Sequence, residues 1–157
     1  HRSLMKENQF VAGSRARLKE KETLKHCENL NAEFHLWSKG LGRRLVLLRI
    51  PFMHYWIKGR SGLSRARGGH LAFWKKDFME INGFEERFNG WGYEDSEFVQ
   101  RLYNKGVMRK NAKLLAGAVH LYHKEKTDDR ASKNMELLQD TIENSNKKAI
   151  LGADQYI

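Results

Sequence analysis

Between Asn89 and Phe98 the chain reads Asn-Gly-Trp-Gly-Tyr-Glu-Asp-Ser-Glu-Phe. Two glycines around Trp91 allow a loop with positive φ that presents a flat aromatic face. Aromatic walls of this kind line ligand sites, and a sugar can stack its C–H face on them. Glu94 and Asp95 follow at the predicted start of a helix, where free N–H groups and the helix dipole favour an ionised carboxylate.

A carboxylate beside an aromatic face has two interpretations. It can take a proton from a sugar hydroxyl, and general-base catalysis of this kind contributes about 10²–10⁴ in rate. It can also cap the helix, which is a common use of acidic residues at this position. The loop taken alone favours the cap.

His120 and His123 form a second candidate site at the end of an apolar strand. Imidazole is a frequent metal ligand. Residues three apart in a strand point to opposite faces, so both rings can bind one ion only if the chain turns after His120. A purely structural role for the two histidines is the alternative.

A third candidate is the sequence Arg65-Ala66-Arg67-Gly68-Gly69-His70, in which Arg67, Gly68 and Gly69 are the residues of interest. Glycines let the backbone approach a ligand closely, and arginine suits phosphate. Gly-Gly pairs are common and arginine is usual on a solvated loop, so the signal is weak by itself.

The net charge of +10 over 157 residues attracts phosphate-rich partners, namely nucleic acid, an anionic membrane face or a nucleotide-sugar diphosphate. Lys and Arg are scattered along the chain, which disfavours nucleic acid. The single cysteine, Cys27, indicates a reducing compartment. The apolar stretch from Leu45 to Ile57 is shorter than the roughly 20 residues that span a bilayer. It predicts a buried helix bent at Pro51 or, alternatively, an interfacial membrane segment.

Strand and helix patterns alternate, which predicts an α/β layer architecture. The predicted strands are Gln9–Leu18, His70–Trp74, Val107–Lys110 and Leu114–Tyr122, and the predicted helices are Lys19–Trp37, Lys75–Ile81, Glu94–Asn104 and Ala131–Ile150. The helix that starts at Glu94 is expected to be closed by Gly106. The apolar face of the first helix is predicted to comprise Leu24, Cys27, Leu30, Phe34 and Trp37, and that of the last helix Met135, Leu138 and Ile142. The pattern by itself indicates no more than a basic α/β domain.

The order of these motifs resembles the C-terminal half of family-2 glycosyltransferases. Gly68 to Lys75, Phe84 to Phe88, Gly90 to Asp95 and the two histidines are similar to the galactosyltransferase-type C-terminal domain. That domain is shared by β-1,4-galactosyltransferases, polypeptide N-acetylgalactosaminyltransferases and bacterial chondroitin-type polymerases. The matching core runs from about Arg67 to His123, and the start of the chain resembles the family's central strand.

The resemblance implies an α/β fold that is the C-terminal part of a GT-A nucleotide-sugar transferase, with a mixed sheet and flanking helices. It implies that Asp95 is the catalytic base and that Glu94 helps to hold the acceptor. Trp91 would lie between donor and acceptor sugars, while Gly68, Gly69 and Arg67 would lie near the donor.

The same resemblance implies a Mn²⁺ or Mg²⁺ site to which His120 and His123 contribute beside an Asp-x-Asp motif. No Asp-x-Asp precedes the aromatic loop, since Asp77 is the first aspartate. We therefore expect residues 1–157 to be one domain, the acceptor and metal side of a transferase whose nucleotide-binding half is missing. Tyr93 stands where many relatives have glycine, which predicts a differently shaped acceptor pocket.

The expected function is glycosyl transfer of the hexosyltransferase type. In the complete enzyme, a metal-dependent, inverting reaction would move a sugar from a nucleotide-sugar donor to a carbohydrate or glycolipid hydroxyl, in surface polysaccharide or lipopolysaccharide synthesis. The expected location is the cytoplasm, with peripheral contact to the inner membrane face, and no nucleic-acid partner is expected. The alternative is a non-catalytic carbohydrate-binding or interaction module.

Overall fold

The computed structural model describes residues 1–27, 33–50, 68–124 and 131–157. They form two compact units that alternate along the chain. The first unit comprises residues 13–27, 33–50 and 111–124, and the second comprises residues 2–12, 68–110 and 131–157. The expectation of one domain, the acceptor side of a longer transferase, stays a prediction.

The described residues contain six strands and four α-helices. The strands are β1 (Gln9–Ala12), β2 (Ser14–Leu18), β3 (Leu41–Gly42), β4 (Leu71–Ala72), β5 (Met108–Asn111) and β6 (Gly117–His120). The helices are α1 (Glu20–Cys27), α2 (Lys75–Glu80), α3 (Glu94–Asn104) and α4 (Ala131–Glu143). A mixed α/β architecture is thereby confirmed.

The first unit contains a mixed three-stranded sheet in the order β3-β2-β6. β2 pairs antiparallel with β3 and parallel with β6, so that Arg17 lies opposite both Gly42 and His120. The sheet packs its apolar face into a small core of buried residues, namely Ala16, Leu18, Leu41 and Val46. This order makes β6, which ends at His120, an outer strand of the described sheet.

The second unit contains a three-stranded sheet in the order β4-β1-β5, in which β1 and β4 are antiparallel. Helix α3 lays its apolar face against this sheet. Its core comprises Phe10, Ala12, Ile81, Phe98, Val99, Leu102 and Val107. The bounds predicted for α3 are confirmed, and Gly106, with φ 89°, follows its end as expected.

The predicted buried face of the first helix is wrong. Helix α1 ends the described segment at Cys27, and residues 33–37, which the sequence included in that helix, are not helical. Leu24 is 65% exposed, whereas Thr23 is buried. Thr23 faces inward because its Oγ1 accepts a hydrogen bond from the backbone N–H of Tyr122, 2.9 Å away.

Helix α4 is shorter than predicted, since it ends at Glu143 instead of Ile150. Its buried residues are Asn134, Leu138 and Thr141, while Met135 and Ile142 are each more than two-fifths exposed. The helix is therefore turned from the expected face. Polar contacts to the rest of the unit, described below, account for the two buried polar positions.

The described part of the Leu45–Ile57 stretch is not a buried helix. Residues 44–47 make one 3₁₀ turn, residues 48–50 are irregular, and residues 51–57 lie outside the described residues. Val46 is buried in the turn but Leu45 is 69% exposed. In the ranges that the structure covers, no helix has the length and apolar character needed to cross a membrane.

Candidate functional site

The loop before helix α3 has the backbone that its glycines predicted. Gly90, Gly92 and Tyr93 all have positive φ, at 80°, 114° and 70°. Nothing lies within 4 Å of a Cβ built on Gly92, so its conformation, and not a lack of space, calls for glycine there. The loop leaves Trp91 59% exposed, which makes an aromatic face accessible to a ligand.

Asp95 is not a helix cap. The residue before α3, Tyr93, makes no side-chain capping hydrogen bond. The half-buried Asp95 carboxylate instead accepts a hydrogen bond from the backbone N–H of Gly68, with 2.6 Å between Gly68 N and Asp95 Oδ2. The structure thus contradicts the capping interpretation for this residue, while its catalytic role stays a prediction.

Glu94, the first residue of helix α3, is hydrogen-bonded to the backbone of the aromatic loop. Its Oε2 accepts a hydrogen bond from the backbone N–H of Gly92 at 3.0 Å. The contact fixes the glycine that follows Trp91, so this acid shapes the loop from the helix side. Whether it also holds an acceptor sugar stays a prediction.

Gly68 begins a 3₁₀ turn, Gly68–His70, that leads into β4. A Cβ built on Gly68 would overlap all three heavy atoms of the Asp95 carboxylate group. The structure therefore brings together Gly68, Asp95 and the Trp91 loop within the second unit. Gly69 lies in the same turn, and Arg67 lies outside the described residues.

A buried ion pair, which the sequence analysis missed, holds helix α3 in place. Arg101 is fully buried and donates to both oxygens of Glu97, at 2.7 and 2.8 Å. It also donates to the carbonyl oxygens of Ile81 and Gly83, at 2.6 and 2.8 Å. Thr141 on α4 donates to Glu97 at 3.1 Å. The i,i+4 spacing of the acid and the base on the predicted helix was the available signal.

The segment leading to the aromatic loop is held by a second buried acid, Glu85. Its carboxylate accepts hydrogen bonds from the Arg87 guanidinium, at 3.1 Å, and from the backbone N–H groups of Ile150 and Leu151, at 2.7 and 3.3 Å. Burial raises the pKa of Glu85, but the hydrogen bonds from Arg87 and Ile150 outweigh it and lower the pKa below the ordinary value.

An open cleft of about 470 Å³ lies between this segment and helix α4. The residues that line it are mainly of polar and charged types with both signs of charge, namely Arg87, Asn89, Lys133, Asn134, Glu136, Leu137 and Asp140. Asn134 is buried and donates to the carbonyl oxygen of Asn89 at 3.3 Å. This contact is one of the polar interactions that turn α4 away from its predicted face.

The two histidines meet in the first unit. β6 ends at His120 and the following residues leave the strand, so the rings of His120 and His123 lie 5.0 Å apart, centroid to centroid. The turn required for a shared ion is therefore present. Two imidazoles that bind one ion through nitrogen, at about 2.0–2.1 Å from each, reach a comparable ring separation.

The surroundings of the histidines supply only part of a metal site. Nδ1 of His120 is 3.4 Å from the Arg15 guanidinium, and Nδ1 of His123 is 3.3 Å from the carbonyl oxygen of Lys124. Within the described ranges no group of three His, Cys, Asp or Glu side chains converges to hold an ion. The two imidazoles fit as two ligands, and a complete site needs further ligands from elsewhere.

The central part of the chain is similar to a known protein family. Residues 53–124 match the family described as the N-terminal domain of galactosyltransferase. Among curated proteins, the chain is 39% identical to chondroitin synthase of Escherichia coli over 83 residues, 48% of this chain and 12% of that protein. No solved structure matches the chain.

Two further relatives carry related names. The chain is 45% identical to β-1,4-galactosyltransferase 1 of Mus musculus over 47 residues, 29% of this chain and 12% of that protein. It is 37% identical to hyaluronan synthase of Pasteurella multocida over 75 residues, 44% of this chain and 7% of that protein. The chain thus spans a small part of each relative. The matched region contains the aromatic loop, Asp95 and both histidines, so this part of the chain is similar to glycosyltransferase domains of the galactosyltransferase type.

Proposed function

We propose that the protein containing this chain is an inverting glycosyltransferase, in which Asp95 takes the proton from an acceptor sugar hydroxyl. The observation that carries the proposal is the Asp95 carboxylate, held by the Gly68 N–H at 2.6 Å beside the exposed Trp91 loop. Among the described residues, no hydrogen bond supports the capping alternative for Asp95, whose carboxylate contacts Gly68 instead.

The proposed reaction is a single displacement. The acceptor hydroxyl gives its proton to Asp95 while its oxygen forms a bond to the anomeric carbon of the donor sugar. The bond between that carbon and the diphosphate oxygen breaks, and its electron pair leaves with the nucleoside diphosphate. Trp91 offers its exposed ring as the surface on which a sugar stacks.

His120 and His123 are proposed to contribute two ligands to a Mn²⁺ or Mg²⁺ site. When bound, the ion neutralises charge on the leaving diphosphate as a Lewis acid. The ring separation of 5.0 Å supports the pairing of the two imidazoles. The remaining ligands are proposed to be carboxylates of an Asp-x-Asp motif in a nucleotide-binding half outside this chain, as in a GT-A fold of which this chain is the C-terminal part.

The donor is proposed to be a nucleotide sugar, and the acceptor a carbohydrate or glycolipid of surface polysaccharide or lipopolysaccharide synthesis. The names of the relatives, which include chondroitin, hyaluronan and galactosyl products, support a polysaccharide role. We further propose a cytoplasmic location with peripheral contact to the inner membrane face. Co-sedimentation of the full-length protein with anionic vesicles at low salt tests this contact, and failure to co-sediment contradicts it.

The test of the function is a donor panel on the full-length protein. UDP-galactose and other UDP-sugars are supplied with Mn²⁺ and carbohydrate acceptors, and UDP release is measured. Asp95→Asn is expected to lower turnover about 10²–10⁴-fold with donor affinity unchanged. Glu143→Gln, an acid-to-amide change at an exposed residue of α4, serves as the matched control. Normal turnover by Asp95→Asn removes this residue from the role of base.

A separate titration tests the metal ligands. Mn²⁺ binding to the full-length protein is followed by its effect on water proton relaxation, which needs no turnover. His120→Ala and His123→Ala are each expected to weaken binding about 10–100-fold. His35→Ala, at an exposed histidine of the same unit, is expected to bind as the parent does. Unchanged binding by both site variants contradicts the proposed ligands.

The alternative function is a carbohydrate-binding module. It is supported if the full-length protein binds sugar but consumes no nucleotide sugar in the donor panel.

A further inference from the structure

The two oxygens of the Asp95 carboxylate lie in different environments. Oδ2 accepts the hydrogen bond from the Gly68 N–H at 2.6 Å. Oδ1 makes no hydrogen bond to any residue in the described part of the chain. One oxygen is therefore held by the backbone, and the other has no hydrogen-bond partner among the described residues while it lies against the Gly68 backbone.

Gly68 also limits where this carboxylate can lie. A side chain at this position would begin inside the volume that the carboxylate occupies, since a Cβ overlaps Oδ1, Cγ and Oδ2 of Asp95. The φ of Gly68 is not positive, so the backbone conformation does not call for glycine here. The close approach of Asp95 is what requires the missing side chain.

We infer that Gly68 is the positioning residue for the catalytic carboxylate of Asp95. This inference rests on the proposed function. The sequence resemblance implied that Gly68 lies near the donor, which stays a prediction; the geometry adds a contact with the proposed base. Because the Gly68 N–H fixes one oxygen of the Asp95 carboxylate, the orientation of the other oxygen is restricted as well.

The physical reason is orientation. Asp95 is only half-buried and makes one hydrogen bond among the described residues, so without Gly68 its carboxylate would rotate among several rotamers. A reacting group displaced by about 1 Å can lose about 10² in rate, because the productive geometry is then rarely populated. Gly68 restricts these rotamers from the side of the turn that precedes β4.

The first experiment is Gly68→Ala in the full-length protein, with UDP release from the active UDP-sugar as the readout. The added Cβ displaces the carboxylate, so kcat is expected to fall roughly 10²-fold with the donor KM unchanged. Gly42→Ala is the matched control, because its Cβ would meet only the Arg17 carbonyl oxygen at an ordinary 3.5 Å. Unchanged kcat in Gly68→Ala overturns the inference.

A double-mutant cycle separates positioning from general disturbance. If Gly68 acts through Asp95, then adding Gly68→Ala to Asp95→Asn lowers the residual rate by less than twofold, since the group that Gly68 positions is already disabled. If Gly68 serves the donor or the fold instead, the two losses multiply. Multiplying losses overturn the inference even when Asp95→Asn confirms the proposed function.

Asp95→Glu keeps the test decisive if Gly68→Ala does not fold. The longer side chain moves the carboxylate away from the Gly68 N–H while leaving the turn intact. The inference predicts a loss of kcat comparable to that of Gly68→Ala, and full activity of Asp95→Glu overturns it. Failure of the proposed function itself has a different signature, which is normal turnover by Asp95→Asn.

Discussion

Asp77 and Glu85 are two acids of the second unit that are almost equally buried, yet their pKa values move in opposite directions. Asp77 is 6% exposed and Glu85 is 5% exposed. Burial raises the pKa of Asp77, and the nearby Glu80 carboxylate raises it further, while Lys105 and Lys76 lower it less. Burial also raises the pKa of Glu85, but the hydrogen bonds that its carboxylate accepts lower the pKa below the ordinary value.

The difference lies in the hydrogen bonds that each carboxylate accepts. Oδ2 of Asp77 is buried without a hydrogen-bond partner in the described structure. Glu85 accepts from Arg87 and from the backbone of the C-terminal segment at Ile150 and Leu151. Burial thus makes an acid costly only when its charge is left unpaired. The segment that leads to the aromatic loop is held by an acid whose charge is paired.

The largest expected effect comes from converting a paired acid into an unpaired one. Arg101→Met leaves Glu97 buried without its cation, which resembles the state of Asp77 in a more enclosed site. The free energy of unfolding is expected to fall by about 3–5 kcal/mol. Urea denaturation followed by tryptophan fluorescence measures it.

The double variant Glu97→Leu with Arg101→Met is the control for this effect. Removing both charges is expected to recover much of the lost stability, because no unpaired ion then remains in the core. A single-variant cost below about 1 kcal/mol, or no recovery in the double variant, contradicts the comparison.

A smaller effect is expected for Glu85→Gln, which keeps the shape but removes the charge that its partners hold. The free energy of unfolding is expected to fall by about 1.5–3 kcal/mol at neutral pH. Because the folded pKa lies below the ordinary value of 4.5, the stabilisation is present above that value. It is lost as the pH falls through the folded pKa. Unfolding measured at about pH 7 and about pH 3 checks this, and a difference that does not shrink in acid contradicts it.

The smallest effect is expected for Asp77→Asn, and its sign is opposite. Because the folded pKa of Asp77 is raised, ionisation costs stability as the pH rises through the ordinary value of 3.8 towards the folded pKa. At neutral pH the free energy of unfolding of the variant is expected to exceed that of the parent by up to about 1 kcal/mol. Below that ordinary pKa value the two proteins are expected to be equally stable. Glu143→Gln, at an exposed acid, is the neutral control. A loss of stability in Asp77→Asn at neutral pH contradicts the view that this carboxylate is unpaired.

The aromatic loop and helix α3 were predictable because their signals are local. Gly90 and Gly92 indicated positive φ, and helix α3 has the predicted bounds because its apolar spacing and closing glycine are consistent with one another. The buried face of α1 was not predictable in this way. Leu24 fitted the periodic pattern, but Thr23 has a hydrogen-bond partner 99 residues away in the sequence.

The features of the candidate site likewise fall into those that local sequence signals predicted and those that depend on long-range contacts. Asp95, Trp91 and the two histidines were found from residue type, spacing and resemblance. The capping interpretation of Asp95 could be dismissed only with coordinates, because its partner Gly68 lies 27 residues earlier. The meeting of His120 and His123 likewise depended on where β6 ends, since a strand continued by three residues would have separated the rings.

The sequence by itself therefore determined the mixed α/β class, the positive-φ loop around Trp91 and the bounds of helix α3. These features follow from backbone preferences and short-range patterns, which act within a few residues. Only the tertiary structure decided which face of α1 and α4 is buried, that Arg101 pairs with Glu97 in the core, and that Gly68 holds Asp95. Glu97 and Arg101 are only one helical turn apart, but their burial, like the other contacts, depends on groups far apart in the sequence. The free energy of these contacts arises from desolvation and close approach that exist only once the chain has folded.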